Sequence, residues 1–248
     1  MAEGAQLAPA SDGTVDVWWA RRQDASPRYA GLLDQVERRR WQAYRREADR
    51  DRFLVGCALA KTVLAGYTGL PPEQVSFDRT CRRCGEPHGK PAIRGGGIEH
   101  SVSHSGDLVA VAVARSAVGV DVEQADGRAR PVGGDGDPEQ LGRLVLADDE
   151  RAALAAADPA IRARAFLVAW TRKEAVTKAT GDGLGVSFKD VVVSPAGRPA
   201  RLLAWPYPQA PADVSLFDLD VRPGYVAALA VIGRCAGVRA RDGSALLA

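Results

Sequence analysis

The sequence predicts an α+β fold built as a pseudo-dimer, with two similar halves that each pack an antiparallel sheet against helices. Short alternating apolar runs bounded by Gly, Pro and Asp are typical of antiparallel strands. Longer segments with apolar residues three and four positions apart indicate amphipathic helices. The order strand, helices, strands occurs twice. We therefore expect an N-terminal half of residues 1–117, a C-terminal half of residues 118–248, and an active site in a cleft between them.

Composition excludes several classes of function. The chain has 248 residues and a formal net charge of +2, which is too small to argue for general nucleic-acid binding. No apolar run approaches the roughly 20 residues needed to span a bilayer. The first ten residues lack the basic start and apolar stretch of a signal peptide. We expect a cytoplasmic protein that binds neither nucleic acid nor membrane.

In the N-terminal half, the pattern predicts a strand at residues 15–19 and helices at about 29–46 and 51–66. The second helix leaves Arg52 and Lys61 on its flanks. Residues 71–97 are rich in Pro, Gly and Arg and are predicted to be a loop with a short strand at 75–77.

Residues 100–103 are predicted to be a short strand, residues 108–114 a long apolar strand and residues 118–123 a third strand. Turns separate them, so the three predict a β-meander. The third strand of a meander runs parallel to the first. We therefore expect Asp121 and Glu123 to return to the edge that holds Ser103 and His104.

The C-terminal half is predicted to begin with a loop at residues 127–137 and a helix from about 147 to 158. Asp158 and Pro159 have the character of an N-cap and a first helical residue, and the helix they begin runs to Gly181. Four strands are predicted to follow, at residues 191–194, 201–205, 214–219 and 225–232.

Two sequence motifs contain the candidate metal-binding and catalytic residues. Asp121 and Glu123 alternate on a strand and project to the same side, and magnesium prefers a few carboxylates together with water and phosphate oxygens. Trp170, Glu174 and Lys178 form one stripe of the long helix. The alternatives are a solvated strand end and a surface ion pair, but a solvent-facing stripe rarely carries a tryptophan.

A third segment offers phosphate contacts. Ser103 and His104 are predicted to stand at a strand-to-turn junction beside Gly106, where a hydroxyl, an imidazole and backbone N–H groups could all face a phosphate. The serine lacks the surrounding glycines of a nucleophile elbow, so we do not interpret it as a nucleophile.

The conjunction of these strings resembles the 4′-phosphopantetheinyl transferase superfamily. Its G-(I/V)-D-(V/I)-E strand is matched by residues 119–123, and its W-(S/T)-x-K-E-(A/S)-x-x-K helix by residues 170–178. A glycine pair follows at Gly181 and Gly183. Residues 89–91 and 101–105 also look like family blocks. The length of the chain is similar to that of the two-halved, monomeric type that activates natural-product synthetases for polyketides and non-ribosomal peptides in secondary metabolism.

The resemblance implies a reaction and a set of roles. The reaction is transfer of 4′-phosphopantetheine from coenzyme A to a serine of an apo acyl or peptidyl carrier protein, with Mg²⁺ as cofactor. The implied metal ligands are Asp121, Glu123 and Glu174. Glu174 is also implied as the base, directly or through a metal-bound water, and Lys178 as a coenzyme A pyrophosphate contact that assists the leaving group.

The resemblance further implies that Ser103 and His104 bind the pyrophosphate and 3′-phosphate, and that Lys90 and Arg52 lie around the adenosine 3′-phosphate. One of Arg38, Arg39 and Arg40 could join them, and the sequence does not choose among these three. A catalytically silent coenzyme A-binding scaffold and a metal-dependent phosphohydrolase are the competing functions.

Cys81 and Cys84, followed by His88, have half the spacing of a zinc site. A reduced thiol pair, structural zinc and a disulfide all remain open from the sequence.

Overall fold

The computed structural model describes residue 7 and residues 13–125, 138–208, 210–211 and 213–248. Its contacts divide the chain into two units, the first made of residues 1–116 and 235–248 and the second of residues 117–234. The loop predicted at residues 127–137 lies entirely outside the described residues, so it stays a prediction.

The strands are β1 (Thr14–Arg21), β2 (Phe77–Asp78), β3 (Ala92–Ile93), β4 (Glu99–Ser105), β5 (Leu108–Ala114), β6 (Val118–Gln124), β7 (Val192–Val193), β8 (Leu202–Ala204), β9 (Val214–Asp218), β10 (Tyr225–Ile232) and β11 (Gly237–Asp242). The helices are α1 (Gln35–Ala43), α2 (Glu47–Thr68), α3 (Pro138–Val145), α4 (Asp148–Ala156) and α5 (Pro159–Thr180). The chain is thus a mixed α+β protein. None of its described helices is long and apolar enough to cross a membrane.

The first unit has a four-stranded sheet in the order β11-β1-β5-β4. The sequence predicted only antiparallel sheets, but β11 runs parallel to β1, with Val15 opposite Val238. A strand that arrives from the far end of the chain is not constrained by a hairpin and can take either direction. Because of this pairing, residues 235–248 group with the first unit, whereas the predicted division placed them in the second half.

Helix α2 covers the first sheet with a stripe of buried apolar residues, among them Val55, Leu59 and Val63. It ends at Gly69, which adopts the left-handed conformation at φ 74°. The helix predicted at residues 29–46 is instead a 3₁₀ turn followed by α1. The break falls at Asp34, whose side chain caps α1 by accepting a hydrogen bond from the Glu37 N–H at 2.8 Å.

The second unit has a three-stranded antiparallel sheet in the order β6-β10-β9. This corrects the predicted meander, because β6 pairs with β10 and not with β5. The second edge of β5 is already taken by β1, so the chain leaves the first sheet after β5. The expectation that a meander brings Asp121 to the edge of Ser103 therefore does not hold. The likeness of the two halves remains a prediction.

Candidate active site

One face of strand β6 is turned toward helix α5. Gly119, Asp121 and Glu123 share that face because alternate strand residues point the same way. A Cβ atom built on Gly119 would lie 2.0 Å from the Ala175 carbonyl oxygen and 2.4 Å from the Ala179 nitrogen, both in the backbone of α5. Only glycine permits so close an approach of strand and helix. The two carboxylates are thereby directed to the side from which α5 approaches.

Helix α5 is fixed at both ends, which positions its functional side chains. Asp158 caps its start by accepting a hydrogen bond from the Ala160 N–H at 2.9 Å, and Gly181 ends it at φ 83°. Trp170 is buried, and its ring lies 5.3 Å from that of Phe188, centroid to centroid. The prediction of a helix from Asp158 and Pro159 to Gly181 is confirmed in detail.

The lysine of this helix meets the aspartate of the strand. The Lys178 ammonium donates to Asp121 Oδ1 at 2.7 Å and to the Val120 carbonyl at 3.2 Å. Asp121 is almost fully buried, while the Lys178 side chain is 28% exposed. Burial opposes the charge on Lys178, but the carboxylates of Asp121, Glu174 and Glu123 outweigh it and raise its pKa. The site therefore holds a permanently charged ammonium among acidic groups.

Glu174 lies one helical turn before Lys178 and is partly buried. Burial raises the pKa of Glu174, and the negative charge of Asp121 raises it further, while Lys178 acts in the opposite direction. A carboxylate with a raised pKa accepts a proton more readily than an ordinary surface glutamate. The geometry thus combines an acidic cluster, a cation and a group with enhanced basicity.

The donor set fits a hard cation such as Mg²⁺, because carboxylate oxygens are the ligands that such ions prefer. Asp121, Glu123 and Glu174 could supply them. In this structure the oxygens of these three carboxylates do not all lie within 4.8 Å of one another. Among the described residues, the ligand atoms of Cys81, Cys84 and His88 do lie that close together. Lys178 stands beside Asp121 instead.

The sequence did not predict that two cationic residues of α5 are buried and form ion pairs. Lys173 is fully buried and donates to Glu150 at 2.5 Å and to the Val145 and Phe188 carbonyls at 2.9 and 2.8 Å. Arg172, also fully buried, forms an ion pair with Asp218. These contacts lock the helix immediately before Glu174. The sequence signal for a buried Lys173 was its place in the family motif at residues 170–178. Its charge alone indicated a solvent-facing residue.

In the first unit, Arg52 and His104 both lie where helix α2 meets the end of β4. Arg52 Nη1 donates to the Gly106 carbonyl at 2.9 Å, in the turn that follows β4, and Arg52 forms an ion pair with Asp49. One turn further along α2, a Cβ atom built on Gly56 would lie 3.9 Å from the His104 ring. The structure thus brings together two of the residues expected to contact phosphate.

Ser103 and His104 lie just before the turn at Gly106, and strand β4 continues to Ser105, two residues beyond its predicted end at Ser103. The two are therefore consecutive strand residues. Consecutive strand residues point to opposite faces, and His104 faces α2. Ser103, which is buried opposite Ala110, therefore does not share its direction.

The remaining basic residues have the following contacts. Lys90 forms an ion pair with Glu99 at 3.3 Å, and burial lowers the pKa of Lys90. Arg38 donates to the Ala30 carbonyl at 2.8 Å and Arg40 to the Pro87 carbonyl at 3.1 Å. Arg40 is thus tied to the loop that carries Lys90, which favours it over Arg38 as a neighbour of that lysine.

Two family models match this chain. Residues 117–230 match the model of the 4′-phosphopantetheinyl transferase superfamily. Residues 18–116 match the model described as 4′-phosphopantetheinyl transferase, N-terminal. The boundary between the two matches falls between β5 and β6, where the chain passes from the first unit to the second.

Curated relatives of this chain are also 4′-phosphopantetheinyl transferases. The 4′-phosphopantetheinyl transferase HetI of Nostoc sp. is 32% identical over 185 residues, covering 74% of this chain and 72% of the relative. The 4′-phosphopantetheinyl transferase psf-1 of Bacillus pumilus is 31% identical over 179 residues, covering 71% and 69%. The 4′-phosphopantetheinyl transferase Sfp of Bacillus subtilis is 22% identical over 204 residues, covering 82% and 84%. The chain belongs to the 4′-phosphopantetheinyl transferase superfamily, and the resemblance seen in the sequence is confirmed.

Proposed function

We propose that this protein transfers the 4′-phosphopantetheine group of coenzyme A to a serine of an apo acyl or peptidyl carrier protein, as a Mg²⁺-dependent, monomeric, cytoplasmic enzyme. The observation that carries the proposal is the placement of Asp121, Glu123, Glu174 and Lys178 on the two elements, β6 and α5, that pack against each other, with Lys178 bonded to Asp121. Three carboxylates and one ammonium on facing elements match the needs of phosphoryl transfer, in which negative charge is held and redistributed.

Asp121, Glu123 and Glu174 would hold the magnesium ion. When bound, this ion supplies electrostatic stabilisation of phosphoryl oxygens. Because Lys178 is hydrogen-bonded to Asp121, its ammonium neutralises part of the negative charge of the site. Once Asp121 is engaged elsewhere, the same ammonium is available to a pyrophosphate oxygen.

The reaction exchanges the phosphoanhydride bond of coenzyme A for a phosphoester bond to the carrier serine. The carrier serine oxygen attacks the β-phosphorus of coenzyme A, and the bond from that phosphorus to the bridging oxygen breaks. The serine proton passes to Glu174, directly or through a water, and the raised pKa of Glu174 suits this role. The leaving group is 3′,5′-adenosine bisphosphate, whose new charge Lys178 stabilises.

We further propose that the first unit binds the phosphate groups of coenzyme A. The contact between Arg52 and the turn after β4 supports a joint role for Arg52 and His104, because both can donate to a phosphate oxygen. Lys90 and Ser103 are proposed as further contacts on the resemblance alone.

A direct experiment is to incubate the protein with coenzyme A, Mg²⁺ and apo carriers of the fatty-acid, polyketide and peptide types, and to measure the intact mass of each carrier. We expect a gain of one phosphopantetheine unit on at least one carrier. Binding of coenzyme A without transfer to any carrier would indicate a silent scaffold. Release of phosphopantetheine without a carrier would indicate a hydrolase. Either result contradicts the proposal.

A further inference from the structure

The loop between β2 and β3, residues 79–91, gathers three groups that bind soft metals. The ligand atoms of Cys81, Cys84 and His88 all lie within 4.8 Å of one another. The Cys84 sulfur is 2.9 Å from His88 Nε2. Both cysteines are free thiols in the structure. These residues belong to the first unit and the acidic residues of β6 and α5 to the second, and the proposed transfer reaction does not use the cysteine loop.

The loop backbone folds so that these side chains converge. Gly85 follows Cys84 at φ 77° and donates its N–H to the Cys81 carbonyl at 2.9 Å, which closes a tight turn around the cysteine pair. The N–H groups of Arg83 and Cys84 donate to the Cys81 sulfur. Backbone donors of this kind stabilise a thiolate that ligates a metal.

Gly89 brings His88 back to the cysteines. Its N–H donates to the Arg79 carbonyl at 2.7 Å. A Cβ atom built on Gly89 would lie 2.7 Å from the Thr80 carbonyl oxygen and 3.0 Å from Cys81 Cα, so a larger residue would separate the two arms of the loop. Two glycines thus serve the geometry of the cluster.

Apolar burial does not explain the order of this loop. Its base is anchored by Arg79, which is buried and pairs with Asp34 at 2.9 Å and Glu37 at 2.6 Å. Beyond Arg79, none of residues 80–91 is fully buried and most are exposed. A segment without a core of its own commonly depends on a bound metal or a disulfide for its structure.

We propose that Cys81, Cys84 and His88 bind a zinc ion, with a water molecule as the fourth ligand. Two thiolates and one imidazole are soft and borderline ligands, which select zinc over magnesium. Tetrahedral zinc with ordinary bond lengths places a sulfur and a nitrogen ligand about 3.6 Å apart. His88 therefore needs to move away from Cys84 by about 0.7 Å relative to the present 2.9 Å contact. The ion fastens the loop between Arg79 and Lys90.

The test measures metal directly and does not depend on transferase activity. The full chain is purified without a histidine tag, dialysed against buffer of low free zinc and analysed for bound metal. We expect close to one zinc per chain. Replacement by Co²⁺ should give the intense visible absorption of a tetrahedral site with thiolate ligands. Peptides covering residues 80–91 should exchange their amide hydrogens at least about tenfold faster after the metal is removed.

The variants Cys84→Ser and His88→Ala should weaken zinc binding by more than about 100-fold, beyond the usual effect of losing an outer hydrogen-bond partner. Cys235→Ser is the matched control, because Cys235 is another cysteine outside any disulfide and donates to the nearby Gly237 carbonyl at 3.2 Å. Its zinc content should equal that of the wild type.

Three results would overturn the proposal. The first is protein that loses its zinc in dialysis and shows no cobalt spectrum. The second is equal zinc content in Cys84→Ser and wild type. The third is a Cys81–Cys84 disulfide, seen as a mass lower by two hydrogens in protein kept under reducing conditions. Failure of carrier modification would leave the zinc measurements unaffected, so the two proposals are separable.

Discussion

Gly119→Ala is the sharpest test of how strand and helix build the acidic cluster. The added Cβ would lie 2.0 Å from the Ala175 carbonyl oxygen, and contacts under 3.0 Å are essentially never seen. Strand β6 or helix α5 must therefore move by at least 1.0 Å, the difference between these two distances. The hydrogen bond from Lys178 to Asp121 is 2.7 Å long and would be stretched by a comparable amount.

Two magnitudes follow from this displacement. A misplacement of 1 Å among catalytic groups costs on the order of 100-fold in rate. Overpacking a buried contact costs about 1–3 kcal/mol of the free energy of unfolding, which leaves a typical domain folded. We expect Gly119→Ala to remain folded while its transfer rate at saturating coenzyme A falls by roughly two orders of magnitude.

The assay is the initial rate of carrier modification by mass spectrometry, combined with urea unfolding of the same samples. Gly237→Ala is the control, since it is also a strand glycine and, in the described part of the chain, no heavy atom lies within 4 Å of a Cβ built on it. A Gly119→Ala rate within threefold of wild type would refute the idea that this close approach positions the site.

Four further predictions concern single residues. Glu174→Gln should reduce the transfer rate at least about 100-fold, since proton acceptance by a base contributes that much. A near-native rate for this variant would contradict the role of Glu174 as the base. Wild-type activity should also fall in acid, around a pKa above the ordinary glutamate value. His104→Ala should raise the KM for coenzyme A with a smaller effect on kcat, measured by varying coenzyme A. His100 is buried, and burial together with the positive charges of Lys90 and Arg79 lowers its pKa to about 3. Below about pH 6.5 the imidazole binds a proton in the unfolded chain but not in the folded one, so stability should fall by about 1.4 kcal/mol per pH unit as the pH drops further. Urea unfolding of His100→Gln should lack that contribution. Lys173→Met should lower the free energy of unfolding by about 3–5 kcal/mol, because it leaves Glu150 buried without its cation, whereas exposed Lys189→Met should change it little.

The local pattern of the chain predicted its second unit well. The bounds of α5 follow from Asp158, Pro159 and Gly181, since caps are local signals. Strand β10 matches the predicted residues 225–232 because an uninterrupted apolar run of that length has few alternatives. The pairing of Asp121 and Glu123 on one face required only strand alternation.

Strand partners could not be read from the sequence. The meander was a reasonable interpretation of three consecutive runs, but the chain ends β5 with both of its edges occupied, and one occupant, β1, is distant in sequence. Strand β11 was not predicted, because Arg239, Arg241 and Asp242 interrupt its apolar character. Arg239 and Arg241 form ion pairs with buried Asp16 of β1. The charges that made β11 hard to predict therefore help to hold it against β1.

The candidate site shows the same limit. Sequence order grouped Ser103 with His104, while the strand directs them to opposite faces. Lys178 was predicted to face Glu174 along the helix, and the structure adds a contact with Asp121 that no helical pattern implies. Tertiary contacts of charged residues depend on which elements pack together, and a single sequence does not specify these.

The most direct measurement of the central claim is the intact mass of an apo carrier after incubation with the protein and coenzyme A, with Mg²⁺, with a chelator in its place, and with Mg²⁺ restored. We expect one phosphopantetheine unit to be added with Mg²⁺, none with the chelator, full recovery on restoration, and almost none with Asp121→Ala under any condition. Transfer that persists in the chelator, or that Asp121→Ala carries out at the wild-type rate, would contradict the account.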